Sequence, residues 1–277
     1  MMFHEIAPKK LDIFYRPEKP TGDDYVLMFE GNTATVKKCN DEICALKLSE
    51  VKEVWKEDEL RYLFSVDGQR FFLAMSRTEV ENTEKITIRD LRNLQPMWMA
   101  YAVTLGFRLG EWYKSASYCG KCGEKNVHSD KERAMVCPVC GNMAFPQISP
   151  SVIVLIRNKE KTLLTRYQAK HSAYRRYALV AGYVESGETP EEAVTREVME
   201  EVGLKVKNIT YYKSQPWPLS GALLFGYVCD LDGDEQVTVE EDELEVAEWV
   251  LREDVPDRST DVSLTSEMME MFRTGRL

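Results

Sequence analysis

The stretch Gly182-Tyr-Val-Glu-Ser-Gly-Glu188 runs through Thr189–Thr195 into Arg196-Glu197-Val-Met-Glu200-Glu201-Val-Gly203-Leu204, and it decides the reading of this chain. Thr189 is an N-cap residue, Pro190 suits the first helical position, and Glu192 completes a capping box. Gly203 is a natural helix stop. Between these signals Val194, Val198 and Val202 form one apolar stripe that faces a core. Glu197, Glu200 and Glu201 stand at i, i+3 and i+4 and cluster on an adjacent, solvent-facing stripe. Three carboxylates this close repel one another unless a cation joins them, and hard cations such as Mg²⁺ take oxygen ligands. Arg196, i+4 from Glu192, can hold the outer carboxylates. With a glycine turn just ahead of the helix, the pattern points to divalent cations beside a bound phosphate, hence to phosphoanhydride chemistry. The plain alternative is a solvated acidic face, common in a chain with 46 acidic residues. For three glutamates taken alone, that alternative carries most of the weight.

Outward from this helix the chain reads as globular. It has 277 residues, 44% of them hydrophobic, and a net charge of −10. That charge disfavours a protein whose main business is coating nucleic acid or anionic membrane. Met1–Pro17 has no apolar core of a signal peptide, and no apolar run approaches the ~18 residues of a membrane span. A soluble, cytoplasmic protein with no membrane partner is the expectation.

Upstream of the helix, Ser151–Arg157, Thr162–Thr165 and Ala178–Ala181 read as strands. Downstream, Lys207–Lys213, Ala222–Cys229 and Glu245–Val250 do the same, and a final helix is expected over about Thr265–Arg273. One helix amid strands and a second at the end imply a mixed sheet held between helices. Ser214-Gln215-Pro216-Trp217-Pro218 reads as a stiff extended loop whose tryptophan can wall a pocket for a flat ring. A rigid structural loop with a buried Trp is its plain alternative. Residues 24–76 read as strands, with a hairpin turn at Val66-Asp67-Gly68-Gln69. From about Thr87 the pattern becomes helical, aromatic-rich through Trp98 and Trp112, with a break near Pro96.

Four of the seven cysteines fall in two knuckles, Cys119-Gly-Lys-Cys122-Gly and Cys137-Pro-Val-Cys140-Gly, with fourteen residues between them. Such spacing is that of a four-thiolate Zn²⁺ site, one ion per chain. All four positions are filled by cysteine, so no open position is left for water and the zinc is structural. Around it Lys121, Lys125, Lys131 and Arg133 are nearly balanced by Glu124, Asp130 and Glu132, which makes nucleic-acid binding by this module a weak reading. Cys39, Cys44 and Cys229 read as buried or free thiols without a role.

The helix stretch resembles the Nudix box, Gly-x5-Glu-x7-Arg-Glu-U-x-Glu-Glu-x-Gly-U with U aliphatic, at every specified position. The cysteine module upstream and Ser214–Pro218 downstream resemble the NADH pyrophosphatase branch of that family, which includes hydrolases of NAD-capped RNA. The likeness is strong from Cys119 to Trp249 and loose before it. It implies an α/β (α+β) fold: a Nudix α/β/α sandwich with a mixed sheet at 148–277. A zinc ribbon at 115–147 and an N-terminal β-rich rudimentary Nudix-like domain at 1–114 would precede it. It further implies Mg²⁺ or Mn²⁺ on catalytic Glu197, Glu200 and Glu201, with the Ala181 carbonyl and Glu243 in the metal shell. Substrate contacts carry over to Glu132, Phe145, Tyr183, Gln215, Pro216, Trp217, Pro218 and Thr265, and a homodimer is expected. Four further substrate positions, Leu219-Ser220-Gly221-Ala222, stand where the branch has Phe-Pro-x-Ser, and Leu219, Ser220 and Ala222 depart from it. Phe145 and Thr265 replace a tyrosine and an alanine.

The implied activity is metal-dependent hydrolysis of the diphosphate of NADH or NAD⁺ to AMP and a nicotinamide mononucleotide, with removal of an NAD cap from RNA as the same chemistry. Glu201 is the preferred base, with Glu200 and Glu243 as alternatives. A diphosphatase for ADP-ribose or dinucleoside polyphosphates is the second reading, kept open by Leu219–Ala222. The third is a non-catalytic regulator on the same scaffold, which the complete set of box glutamates disfavours.

Overall fold

A computed structural model describes residues 1–51, 55, 59–76, 79–168, 176–240, 242 and 244–277. They form two compact units. One comprises Phe3–Gln147 with Pro218–Gly221, the other Met1–Met2, Ile148–Trp217 and Ala222–Leu277. Apart from Met1–Met2, the segments 1–114 and 115–147 lie together in the first of these units.

The first unit contains β1 (Leu11–Asp12), β2 (Tyr25–Glu30), β3 (Thr33–Cys39), β4 (Glu42–Cys44), β5 (Leu46–Lys47), β6 (Leu60–Val66), β7 (Gln69–Ala74) and β8 (Glu84–Thr87). They form one sheet in the order β1-β6-β7-β2-β3-β4, with β5 on β2 and β8 on β3. The β6–β7 hairpin turns at Asp67 and Gly68, φ 50° and 78°, the left-handed pair the sequence indicated. A second such turn, at Asn40 and Asp41 with φ 53° and 66°, joins β3 to β4. It leaves Cys39 exposed and Cys44 half-buried, while Cys229 is buried in the other unit. The helices are α1 (Leu48–Val51), α2 (Ile88–Leu91) and α3 (Met97–Ser115), and Pro96 is the N-cap residue of α3. The cysteine module adds β9 (Val127–His128), β10 (Met135–Val136) and β11 (Met143–Ala144), a three-stranded antiparallel sheet. Arg133 fastens it to the N-terminal strands. Its guanidinium donates to the Leu63 and Ile13 carbonyls and lies 5.2 Å from the Tyr15 ring centre.

The second unit is built on β12 (Ser149–Asn158), β13 (Lys161–Tyr167), β14 (Val180–Tyr183), β15 (Val206–Trp217), β16 (Ala222–Leu231) and β17 (Leu244–Leu251). The order is β15-β16-β12-β13-β17 with β14 on β12, and β12 runs parallel to β16. Side chains on β12 alternate between two cores, as a pleated strand requires. Val152, Val154 and Ile156 pack with Val194, Val198 and Val202 of α4 (Pro190–Val202). Ile153 and Leu155 pack with Leu264, Met268 and Phe272 of α5 (Leu264–Arg273). The mixed sheet between helices is therefore as expected.

One expectation is corrected here. Ser214–Trp217 is not a loop but the end of β15, paired with β16 through Trp217 opposite Ala222. Pro216 fits because β15 is an edge strand, where a missing N–H costs no ladder bond. The connection proper is the four residues Pro218–Gly221, with Gly221 at φ +80°.

Candidate active site

α4 begins as its sequence dictates. Thr189 Oγ accepts from the Glu192 amide at 3.2 Å, and the Glu192 carboxylate accepts from the Thr189 amide at 2.7 Å. Gly203 ends the helix at φ 67°. Two features of this helix depart from the expectation. Glu201 is only 2% exposed rather than solvent-facing, and its Oε1 accepts from the Ala181 amide at 3.3 Å. Position 201 is seven residues past Val194, about 20° from it around the helix, so the apolar stripe carries this carboxylate inward. Arg196 does not serve Glu192, whose carboxylate is used by the cap.

Arg196 gathers the box instead. Its Nε and Nη2 donate to both Glu188 oxygens at 2.9 and 2.7 Å. Nη1 donates to Glu197 at 2.8 Å and Glu200 at 2.9 Å, and Nη2 also reaches the Tyr183 carbonyl at 2.9 Å. The bidentate pair holds the Glu188 carboxyl down at about 2, aided by the Glu185 amide. The same partners, Glu188 first, raise the Arg196 pKa. Glu188 was present in the motif but unassigned; the fork geometry of a guanidinium opposite a carboxylate is what gives it a role.

The glutamates sit at three depths. Glu200 is 57% exposed at its side chain, Glu197 is largely shielded, and Glu201 is buried. The Glu197 carboxylate lies against Gly182, where a Cβ would fall within 1.9–2.2 Å of its atoms. This is the physical reason for a glycine there. Ser151 Oγ holds the Gly182 carbonyl at 2.9 Å. An all-oxygen donor set of this kind suits a hard cation. Among the described residues the three carboxylates do not converge on one point, because Arg196 holds Glu197 and Glu200. Glu243 lies outside the described residues.

The four cysteines do converge. Their ligand atoms lie within 4.8 Å of one another, with Sγ–Sγ separations of 3.6 Å for Cys119–Cys140 and 3.5 Å for Cys122–Cys137 and Cys122–Cys140. A tetrahedron of Zn–S bonds near 2.3 Å has edges of about 3.8 Å, and a disulfide would need about 2.05 Å. The spacing fits zinc. Backbone amides favour thiolates here: those of Lys121 and Cys122 bring Cys119 to about 6, and that of Cys140 lowers Cys137.

The remaining expected site residues are distributed as follows. Tyr183 is 53% exposed, with its ring free of aromatic pairs among the described residues. Trp217 packs on the α5-side core, Ala222 is buried and Pro216 exposed. Gln215 is 0% exposed, and Thr265 is half-exposed at the start of α5. Pro218, Leu219, Ser220 and Gly221 belong to the other unit, where Gly221 rests on the Arg108 guanidinium, which a Cβ would meet at 2.3 Å. Glu132 and Phe145, both exposed, belong to that unit too.

Comparison with known proteins agrees with this geometry. Residues 147–271 match the NUDIX domain model, and residues 114–145 match the NADH pyrophosphatase zinc ribbon domain. The chain is 42% identical over 153 residues to the NAD-capped RNA hydrolases NudC of Escherichia coli O1:K1 / APEC and strain SMS-3-5 / SECEC. Those matches cover 54% of this chain and 58% of each relative. The crystal structure of a NUDIX hydrolase from Nitrosomonas europaea superposes with a TM-score of 0.50 at 17% identity, covering 58% of this chain and 92% of that one. That likeness speaks for the fold. Nudix hydrolases use Mg²⁺ or Mn²⁺, and the ribbon carries structural zinc. Residues 147–271 are thus a Nudix domain, preceded at residues 114–145 by the zinc ribbon of the NADH pyrophosphatases.

Proposed function

We propose that this protein hydrolyses the diphosphate of NADH and NAD⁺ to AMP and a nicotinamide mononucleotide, and removes an NAD cap from RNA by cleaving the same bond. One observation carries the reading: a complete box, organised by Arg196, follows the zinc ribbon of the NADH pyrophosphatases in one chain. Glu197, Glu200, Glu201 and Glu243, with the Ala181 carbonyl, would hold the cation. Mg²⁺ or Mn²⁺, when bound, neutralises the diphosphate and acidifies the attacking water. Glu201 takes the water proton; its burial beside the Ala181 amide fixes the carboxylate in one place. Arg196 keeps Glu188, Glu197 and Glu200 from drifting apart before substrate arrives.

Tyr183 stacks on a ring of the dinucleotide, and Trp217 shapes the neighbouring wall. Glu132, Phe145, Gln215, Pro216, Pro218–Ala222 and Thr265 are the further substrate contacts that the family resemblance supports. We further propose modules at 1–114, 115–147 and 148–277, a cytoplasmic location and a homodimer, for which light scattering at twice 31.9 kDa is the check. No helix among the described residues is long and apolar enough to cross a membrane.

AMP release from NADH and from ADP-ribose, with Mg²⁺ and with Mn²⁺, tests the activity. Preference for NADH supports the reading. Leu219-Ser220-Gly221-Ala222 favours the second reading, ADP-ribose or a dinucleoside polyphosphate, because the branch's aromatic, proline and hydroxyl are missing there. Restoring them as Leu219→Phe, Ser220→Pro and Ala222→Ser raises the NADH preference if this segment grips nicotinamide. An unchanged ratio moves the second reading ahead.

A further inference from the structure

Gln215 is a polar side chain in a place where packing alone would put leucine or methionine. It is 0% exposed, and both ends of its amide are used. Nε2 donates to the Val262 carbonyl at 3.0 Å, and Oε1 accepts from the Leu264 amide at 2.7 Å. The side chain thus pairs with a backbone segment as a neighbouring strand would. Leu264 is the first residue of α5, so its amide is one of the helix donors that has no partner within the helix. Ser263, between the two contacts, caps the helix separately: its Oγ accepts from the Ser266 amide at 3.2 Å. A second tie lies one turn further on, where Glu267 accepts from Tyr212 Oη at 2.9 Å and Lys213 Nζ at 2.7 Å.

We propose that Gln215 is a positioning residue for the substrate side of the site: it locks the start of α5, and hence Thr265, to the strand that carries Trp217. The proposal rests on the dinucleotide reading above. Gln215 and Trp217 stand two apart on β15, so their side chains share one face of the strand. Trp217 packs on the cluster that contains Leu264 and Met268, and Leu264 is the residue whose amide Gln215 holds. Thr265 follows directly. A shift of the α5 start therefore moves the bed under Trp217 and the Thr265 side chain together. The glutamates are on α4, packed on the opposite face of the sheet, and are untouched by such a shift. The predicted signature is a change in substrate binding with the chemical step preserved.

The test compares the parent with Gln215→Met, which keeps the shape and removes both bonds, and Gln215→Glu, which keeps only the acceptor for Leu264. Phe272→Leu, at the far end of α5, serves as a variant destabilised in the same helix. The expected result for Gln215→Met is a KM for NADH about tenfold higher with kcat within about twofold, and an intermediate KM for Gln215→Glu. Phe272→Leu should lower the melting temperature and leave KM near the parent's. Equal KM values in the parent and the Gln215 variants overturn the proposal. So does an equal rise in KM for Phe272→Leu at matched loss of melting temperature, which reduces Gln215 to general stability. If Gln215→Met does not fold, Gln215→Glu decides by the same comparison. Failure of the dinucleotide reading is separate, since it shows in the parent alone as no AMP from NADH; the KM series then runs on the diphosphate the parent does cleave.

Discussion

Glu201 concentrates the argument at the scale of single residues. The i, i+3, i+4 spacing shows that three carboxylates neighbour one another, but not how deep each lies. The depth was legible all the same, because position 201 falls about 20° from Val194, at the edge of the arc of Val194, Val198 and Val202. The partners of Arg196 were not, since Glu188 reaches it from the loop before the helix and no helical spacing encodes that contact. Replacing Glu201 by Gln keeps an acceptor for the Ala181 amide and removes a charge from the metal side. Turnover should fall ~10²-fold or more while the melting temperature stays near the parent's. Activity above about a tenth of the parent's would deny Glu201 a central part. Tyr183→Ala acts on binding instead. Loss of one ring stack, worth ~1–3 kcal/mol, should raise the KM for NADH by one to two orders of magnitude. Steady-state kinetics on a diphosphate without the stacked ring should change much less.

Among elements, α4 was readable from end to end because each signal in it is local: a capping box, a proline at the first turn, a valine stripe and a C-terminal glycine. β15 was not. Two prolines in Ser214–Pro218 argue against a strand, and only the position at the sheet edge reconciles Pro216 with one. The ribbon strands, two residues each, are too short for any periodicity to register. The β15–α5 tie has a pH signature. Burial opposes ionisation of Glu267, but the bonds from Lys213 and Tyr212 outweigh it, and the carboxyl is held below its ordinary 4.5. A lowered folded pKa adds stability that is complete above about 4.5 and lost as pH falls through the lower folded value. Glu267→Gln should therefore cost about 1 kcal/mol at pH 7, the exposed Lys213 end being screened. It should also flatten the acid limb of the melting temperature between pH 7 and pH 3. A limb as steep as the parent's would place the acid sensitivity elsewhere.

For the whole molecule, two kinds of chemistry stand in one chain: sulfur ligands in the ribbon and oxygen ligands in the Nudix domain. The sequence separated them cleanly, because CxxC pairs and a glutamate-rich helix have no common spacing. What it left open is the substrate, since Leu219–Ala222 departs from the branch and lies outside any local pattern. Cys119→Ser should lose zinc and lower the melting temperature, because a ribbon with so little core draws its folding free energy from the metal. Metal analysis of the purified protein checks this, and one zinc per chain in the variant would contradict it. The most direct test of the central claim is AMP release from NADH by the parent protein, with and without Mg²⁺ or Mn²⁺ and beside ADP-ribose at equal concentration. The account predicts metal-dependent formation of AMP and the reduced mononucleotide in equal amounts, faster from NADH than from ADP-ribose. Intact NADH in the presence of either metal would contradict it.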